Sequence, residues 1–310
     1  MFVTSDIFNL EVIGRFRGLD WQENLLCGVN VVGAIWPGYE AGARFLLAAA
    51  ERCGLSSQMD IAGYSPAGKS RTRNITPKSF DRLARGELTG ATESTSVLLR
   101  GSRPAVGVHA GRILFGGEAG SIRRRRGPLG PIPLAGPPWR FRADFVYPLD
   151  SDPAKTASDL LEMSVSILGA DYGYYFVRDD LCGAWTYSYG IAAPLDYKAL
   201  ANDDAMEISD WADFVTDGTL WSEGRPRLRD LFEVNLLSKR HTADPIQGLG
   251  YLTDWIAAEP GRGRLQDAGQ DRQLWILTDR EIVDVRPVLH QAGLLLSCRP
   301  RVYRDVPGAG

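Results

Sequence analysis

At 310 residues and 44% hydrophobic content, the chain can form one large domain or two ordinary ones, with a core that requires no disulfide or metal staple. A formal charge of −3 argues against bulk attraction to nucleic acid or anionic lipid. The four cysteines, Cys27, Cys53, Cys182 and Cys298, lie far apart in no zinc-like spacing, so reduced and mostly buried thiols are expected.

The opening MFVTSDIFNLEVIGRFRGLDW carries acids where a signal peptide has its basic region. No run reaches the ~18 apolar residues of a membrane span, and a soluble, cytoplasmic protein is expected. VNVVGAIW (29–36) predicts a strand, and YEAGARFLLAAAERCG predicts a buried helix after the Pro37-Gly38 turn. SFDRLARGEL (79–88) reads as a short helix. STSVLLR, PAVGVH and GRILFG read as strands of an antiparallel meander. Residues 120–138 hold five prolines and four glycines, which sustain neither a ladder nor a helix, and are expected to form an exposed loop.

WRFRADFVY (139–147) resumes as a strand. DSDPAKTASDLLEMSVSILG then predicts a helix with Asp152 as cap, Pro153 in the first turn, Gly169 as terminator, and Ala157, Leu160, Leu161, Ser164 and Leu168 on one face. YGYYFVR and AWTYSYGI alternate around DDLCG as a hairpin. Near the end, GYLTDWIAAEP predicts a short helix, LWILT a strand, DREIVDVRPVLHQAG a helix and LLLSC a strand. Thr278 and Glu281 have capping-box spacing, and Pro287 should kink or shorten the last helix. The whole predicts an α+β fold of mixed, mainly antiparallel sheets with helices packed on one face. It divides into an N-terminal α+β lobe (1–119), the Arg/Pro/Gly-rich loop (120–138) and a C-terminal α+β lobe (139–310), the two lobes packed as one unit.

GYSPAGKS (63–70) matches the phosphate-loop pattern G-x-x-x-x-G-K-[ST], which suggests a nucleotide-binding enzyme using Lys69 and Ser70. A working phosphate loop needs a buried strand before it and a long helix after it, whose N-terminal amides hold the phosphates. SSQMDIA is only weakly strand-like, and Asn74, Thr76 and Pro77 would stop a helix within two turns. The context therefore predicts an ordinary bend. His109, His241 and His290 form no metal-binding or triad spacing, and no nucleophile elbow occurs, so no catalytic residue, metal or cofactor is assigned. Arg123 to Arg126 stand in a loop without interleaved aromatics, the pattern of a solvated loop and not of a nucleic-acid surface.

Charge is more informative between Asp196 and Glu223, where eight acids face one base, a local net charge of −7. Asp203, Asp204, Glu207, Asp210, Asp213 and Asp217 surround Trp211, Phe214 and Trp221. Ile208, Trp211 and Val215 have helical spacing, so a solvated helix is one reading. A negative rim around aromatic anchors, suited to capturing a basic protein partner, is the other. The residues expected to make that contact are Asp203, Asp204, Glu207, Asp210, Trp211, Asp213, Asp217 and Trp221.

The stretches VNVVGAIW…ARFLLAAAERCG, GKSRTRNITPKSFDRL and SILGADYGYYFVRDD resemble the immunity proteins of bacterial polymorphic-toxin and contact-dependent secretion systems, in particular the immunity protein 52 family. LRDLFEVNLLSKRHTADPIQGLGYLTDWIAAEPGRGRLQ and LWILTDREIVDVRPVLHQAGLLL are similar to the C-terminal portion of related type VI secretion immunity proteins. The resemblance implies a cognate toxin effector as partner, neutralised by stoichiometric occlusion, with no enzymatic activity. It also implies that Gly68, Lys69 and Ser70 recur in the family without a nucleotide role.

Overall fold

A computed structural model describes residues 25–33, 35, 37, 39–53, 58–64, 70–74, 94–100, 109–115, 126–127, 130–131, 141–148, 152–179 and 227–296. The first strand, β1 (Leu25–Gly33), leads into helix α1 (Tyr39–Arg52). Strands β2 (Gln58–Tyr64), β3 (Ser70–Asn74), β4 (Ser94–Arg100) and β5 (His109–Phe115) follow. Within the Arg/Pro/Gly-rich stretch, only Arg126–Gly127 (β6) and Gly130–Pro131 (β7) are described, and contrary to the expectation that it sustains no ladder they pair antiparallel, since two residues a side suffice between the prolines. Next come β8 (Phe141–Pro148), α2 (Pro153–Leu168) and β9 (Tyr172–Asp179). The C-terminal part contains β10 (Val234–Ser238), α3 (Lys239–Thr242), α4 (Leu252–Ala257), β11 (Arg264–Gly269), β12 (Arg272–Ile276) and α5 (Asp279–Gln291).

The fold is α+β, built on a ten-stranded sheet of order β11-β12-β10-β9-β1-β8-β5-β4-β2-β3 in which neighbouring strands run antiparallel. Strands from both sides of residues 120–138 share this sheet, and β1 lies between β8 and β9. Its residues alternate between two apolar clusters, as the two-residue strand period requires. Cys27, Val29 and Val31 join Phe45 and Ala49 of α1 and Leu160, Leu161, Val165 and Leu168 of α2. Val32 joins Tyr172, Tyr174 and Phe176 of β9 in the cluster on the opposite face, which the C-terminal segments cover.

Helix α2 forms as its sequence signals demand. The Asp152 carboxylate accepts from Lys155 N–H at 3.1 Å, Pro153 sits in the first turn, and Gly169 ends the helix at φ 66°. Ala157, Leu160, Leu161, Ser164 and Leu168 are all buried, which confirms the expected face. Arg52 of α1 donates to Asp159 of α2 from Nε at 2.8 Å. Both side chains are about one-third exposed, so this pair orients the helices more than it stabilises them, contributing about 0–1 kcal/mol.

Two further expectations need correction. LLLSC is no strand within the described residues: Leu295 makes a single parallel bridge with Leu228. Pro287 does not shorten α5, which continues to Gln291. The N–H it lacks would have bonded the carbonyl of Val283, an exposed residue whose carbonyl water can satisfy. Strand β10 and hairpin strand β11 were not anticipated. The predicted helix at 79–88, the strand AWTYSYGI, Cys182 and Cys298 lie outside the described residues. Cys27 is buried and Cys53 half-buried, and neither is in a disulfide.

Gly173 sets how closely α2 approaches the sheet. A Cβ there would lie 2.7 Å from Val31 Cγ1, 2.8 Å from the Asn30 carbonyl and 2.9 Å from Leu161 Cδ2. The carbonyl cannot rotate away as a side-chain tip would. Gly173→Ala should therefore cost about 1–3 kcal/mol through overpacking, read as a lower urea midpoint at unchanged slope.

Candidate functional site

The sequence places its phosphate motif where the structure places a hairpin. Gly63 and Tyr64 end β2 and Ser70 begins β3, with Tyr64 paired to Ser70 and Gly63 to Arg71. Ser70–Asn74, after Lys69, form an extended strand and not the helix whose N-terminus a phosphate loop needs there. Asp203, Asp204, Glu207, Asp210, Trp211, Asp213, Asp217 and Trp221 lie outside the described residues, as do Arg123 to Arg125. Among the described residues, no cluster of three or more His, Cys, Asp or Glu side chains could hold a metal ion.

The densest polar constellation lies on the second face of the sheet. Alternation along β9 points Tyr172, Tyr174 and Phe176 to that side, where the segment 228–232 crosses them. Leu228 is fixed there by backbone bonds to Leu294 and Leu296, at 2.8 and 2.9 Å. Arg229 is fully buried. Its backbone N–H donates to Tyr172 Oη at 2.8 Å, and its Nη1 donates to Tyr174 Oη at 2.6 Å. Its guanidinium also lies 5.3 Å from the Tyr174 ring centre, while Phe232 stacks on that ring at 4.4 Å. Burial holds the Tyr172 phenol well above its ordinary range, with Tyr174 adding to the effect and Arg229 opposing it.

Asp230 continues the network. Its carboxylate accepts from Arg286 Nε at 2.8 Å and Nη2 at 2.5 Å, which ties the segment to α5, and from Leu231 N–H at 2.7 Å. Asn235 closes the turn by accepting from Phe232 N–H and donating to the Phe232 carbonyl. On the far side, His241 is fully buried with its ring 5.4 Å from that of Tyr172. Its Nδ1 accepts the Ser238 N–H at 3.1 Å, so Nε2 carries the proton of the neutral ring.

Chemically, this constellation is a clamp. Arg229, Asp230, Asn235 and His241 each retain 1% or less of their exposure, and the hydrogen bonds described join them to the chain itself. No motif flags them, because Arg-Asp in LRDLF and a lone histidine in SKRHT carry no spacing signature.

Comparison with known proteins adds little. No described protein family and no curated protein matches the chain. Among solved structures, a T6SS protein of Pseudomonas aeruginosa is similar over 88% of this chain and 73% of its own, with 13% identity and a TM-score of 0.44. A likeness at that level carries no argument about function.

His241 supplies a test of the clamp. Burial, with Arg240 adding to it, lowers its pKa to about 3 from about 6.5. Between those values the unfolded chain binds a proton that the folded protein does not. Stability is therefore complete above pH 6.5 and is lost as pH falls towards 3, by up to about 1.4 kcal/mol per pH unit. Between pH 6.5 and 5, the wild-type denaturation midpoint should fall more steeply than that of His241→Asn. Equal slopes would show that the ring is not held neutral.

Proposed function

We propose that the protein is an immunity protein that binds a cognate bacterial toxin effector and neutralises it by stoichiometric occlusion. The quoted stretches that resemble the immunity protein 52 family support this reading. The observation that carries it is the β2–β3 hairpin. Once a strand stands where a phosphate loop needs a helix, the motif that suggested a nucleotide enzyme loses its physical basis, and GKS is left as a family-like sequence feature. The buried ionic groups are consistent with binding, since they are spent on internal clamps.

In this reading, the acidic and aromatic stretch from Asp196 to Glu223 is the contact surface. Its local charge of −7 would speed encounter with a basic toxin cleft, and Trp211 and Trp221 would supply buried anchors. The protein acts in the cytoplasm, where a toxin delivered by a neighbouring cell would arrive. Neither cofactor nor catalytic residue is assigned.

The reading is tested by co-expressing the chain with the product of the reading frame beside its gene. Wild-type protein should form a complex with that product and restore growth. Reversing Asp203, Asp204, Glu207 and Asp210 to lysine should weaken the complex at least tenfold. Unchanged affinity would remove this surface from the account. Saturable ATP or GTP binding with magnesium, lost in Lys69→Ala, would overturn the reading in favour of a nucleotide enzyme.

A further inference from the structure

Residues 228–296 close on themselves. Leu228 N–H donates to the Leu294 carbonyl at 2.8 Å, and the Leu228 carbonyl accepts the Leu296 N–H at 2.9 Å, so the two ends of the segment are clasped together. Between those ends, β10 pairs along its whole length with β12, from Val234 opposite Ile276 to Ser238 opposite Arg272, and Leu277 N–H donates to the Glu233 carbonyl at 2.9 Å. Asp230 ties the start of the segment to Arg286 of α5, and Trp275 Nε1 donates to the Arg262 carbonyl at 2.8 Å. Leu231, Phe232, Leu252, Trp275 and Leu289 meet in one apolar cluster. A segment with adjoining ends, its own run of strands and its own apolar centre has the anatomy of a separate folding unit.

Its strand join to the rest is short. β10 pairs with β9 at two positions, Asn235 opposite Tyr174 and Leu236 opposite Gly173, whereas β9 pairs with β1 at eight, from Leu25 opposite Asp179 to Val32 opposite Tyr172. Side chains supplement this seam at separate points. Arg229 reaches Tyr172 and Tyr174, Arg272 donates to Asp171 at 2.7 Å and to the Ala170 carbonyl at 3.2 Å, and Gln266 donates to Glu162 at 2.7 Å. Sub-global openings of native proteins follow contiguous cooperative units, and the boundary of such a unit falls where the ladder is shortest.

We infer that residues 228–296 form a hatch, which opens from the β9 edge as one cooperative unit while the sheet centred on β1 stays folded. The clasp makes the opening all-or-none, because the Leu228 bonds cannot persist once the segment that follows α5 leaves. Opening releases Gly173 and Tyr174 from their β10 partners, so a strand edge that is paired in the closed protein becomes available to another strand. The β1–β9 register is untouched by this motion, since it lies on the other flank of β9.

The test is native-state hydrogen exchange of the full chain in sub-denaturing urea. The amides of Leu228, Leu277 and Leu296, all bonded within the hatch, should share one opening free energy and one urea slope, both smaller than those of Val29 and Val31 in β1. Phe45 of α1 is buried in the first cluster, and Phe45→Leu weakens the β1-centred sheet whether the hatch is open or closed. That variant should speed exchange of the β1 amides about tenfold and leave the hatch amides within about twofold of wild type. Hatch amides that match the β1 amides in opening free energy in the wild type would overturn the hatch, as would three unrelated free energies for Leu228, Leu277 and Leu296. Equal acceleration of hatch and β1 amides in Phe45→Leu would overturn it as well.

Discussion

The structure depends on β1 being hydrogen-bonded on both sides and buried on both faces. Its register runs from Leu26 opposite Pro148 to Gly33 opposite Phe141 on one flank, and from Leu25 opposite Asp179 to Val32 opposite Tyr172 on the other. A strand in that position has no freedom to slip, because a shift of one residue would exchange the α1–α2 cluster for the tyrosine cluster at every side chain. Glycines make the fit possible. Phe176 lies so close over Gly28 that a Cβ there would sit 2.3 Å from its ring, and Gly173 admits Leu161 of α2 in the same manner on the other face.

Both faces of this strand pair lead to segments distant in sequence. One face seats the two long helices. The other seats Arg229, Asp230 and His241, whose bonds reach Tyr172, Tyr174, Arg286 and Ser238. Buried charge is costly unless fully partnered, and removing one partner typically costs more than the intact pair contributes. The clamp is therefore best understood as specifying one arrangement of the C-terminal segments.

Much of this was legible in the sequence where the signal is local. Helix α2 announces itself through Asp152, Pro153 and Gly169, and α5 through the Thr278–Glu281 box, in which Glu281 Oε2 accepts the Thr278 N–H at 2.7 Å. The bonds from Thr278 and the Gly263 N–H also hold the Glu281 carboxyl below its usual range. That no helix follows GYSPAGKS was legible because Asn74, Thr76 and Pro77 oppose one, and Ser70–Asn74 forms a strand. Elsewhere the deciding contacts are long-range. The β11–β12 hairpin turns at Gln270 and Asp271, both with positive φ, where sequence reasoning looks for Asn-Gly or Asp-Gly. LLLSC looked like a strand by composition, but its partner Leu228 allows one bridge only. Arg229 joins Tyr174 across 55 residues, a distance no periodicity spans.

The most direct test of the central claim is native-state hydrogen exchange resolved by segment. Amides of Val29, Val31, Tyr174 and Phe176 should exchange only through global unfolding, with a free energy equal to that from urea denaturation, while amides of the edge strand β11 exchange through smaller local openings. Exchange of β1 and β9 amides as fast as those of β11 would contradict the account, since the doubly paired strand would then not be what holds the two faces together.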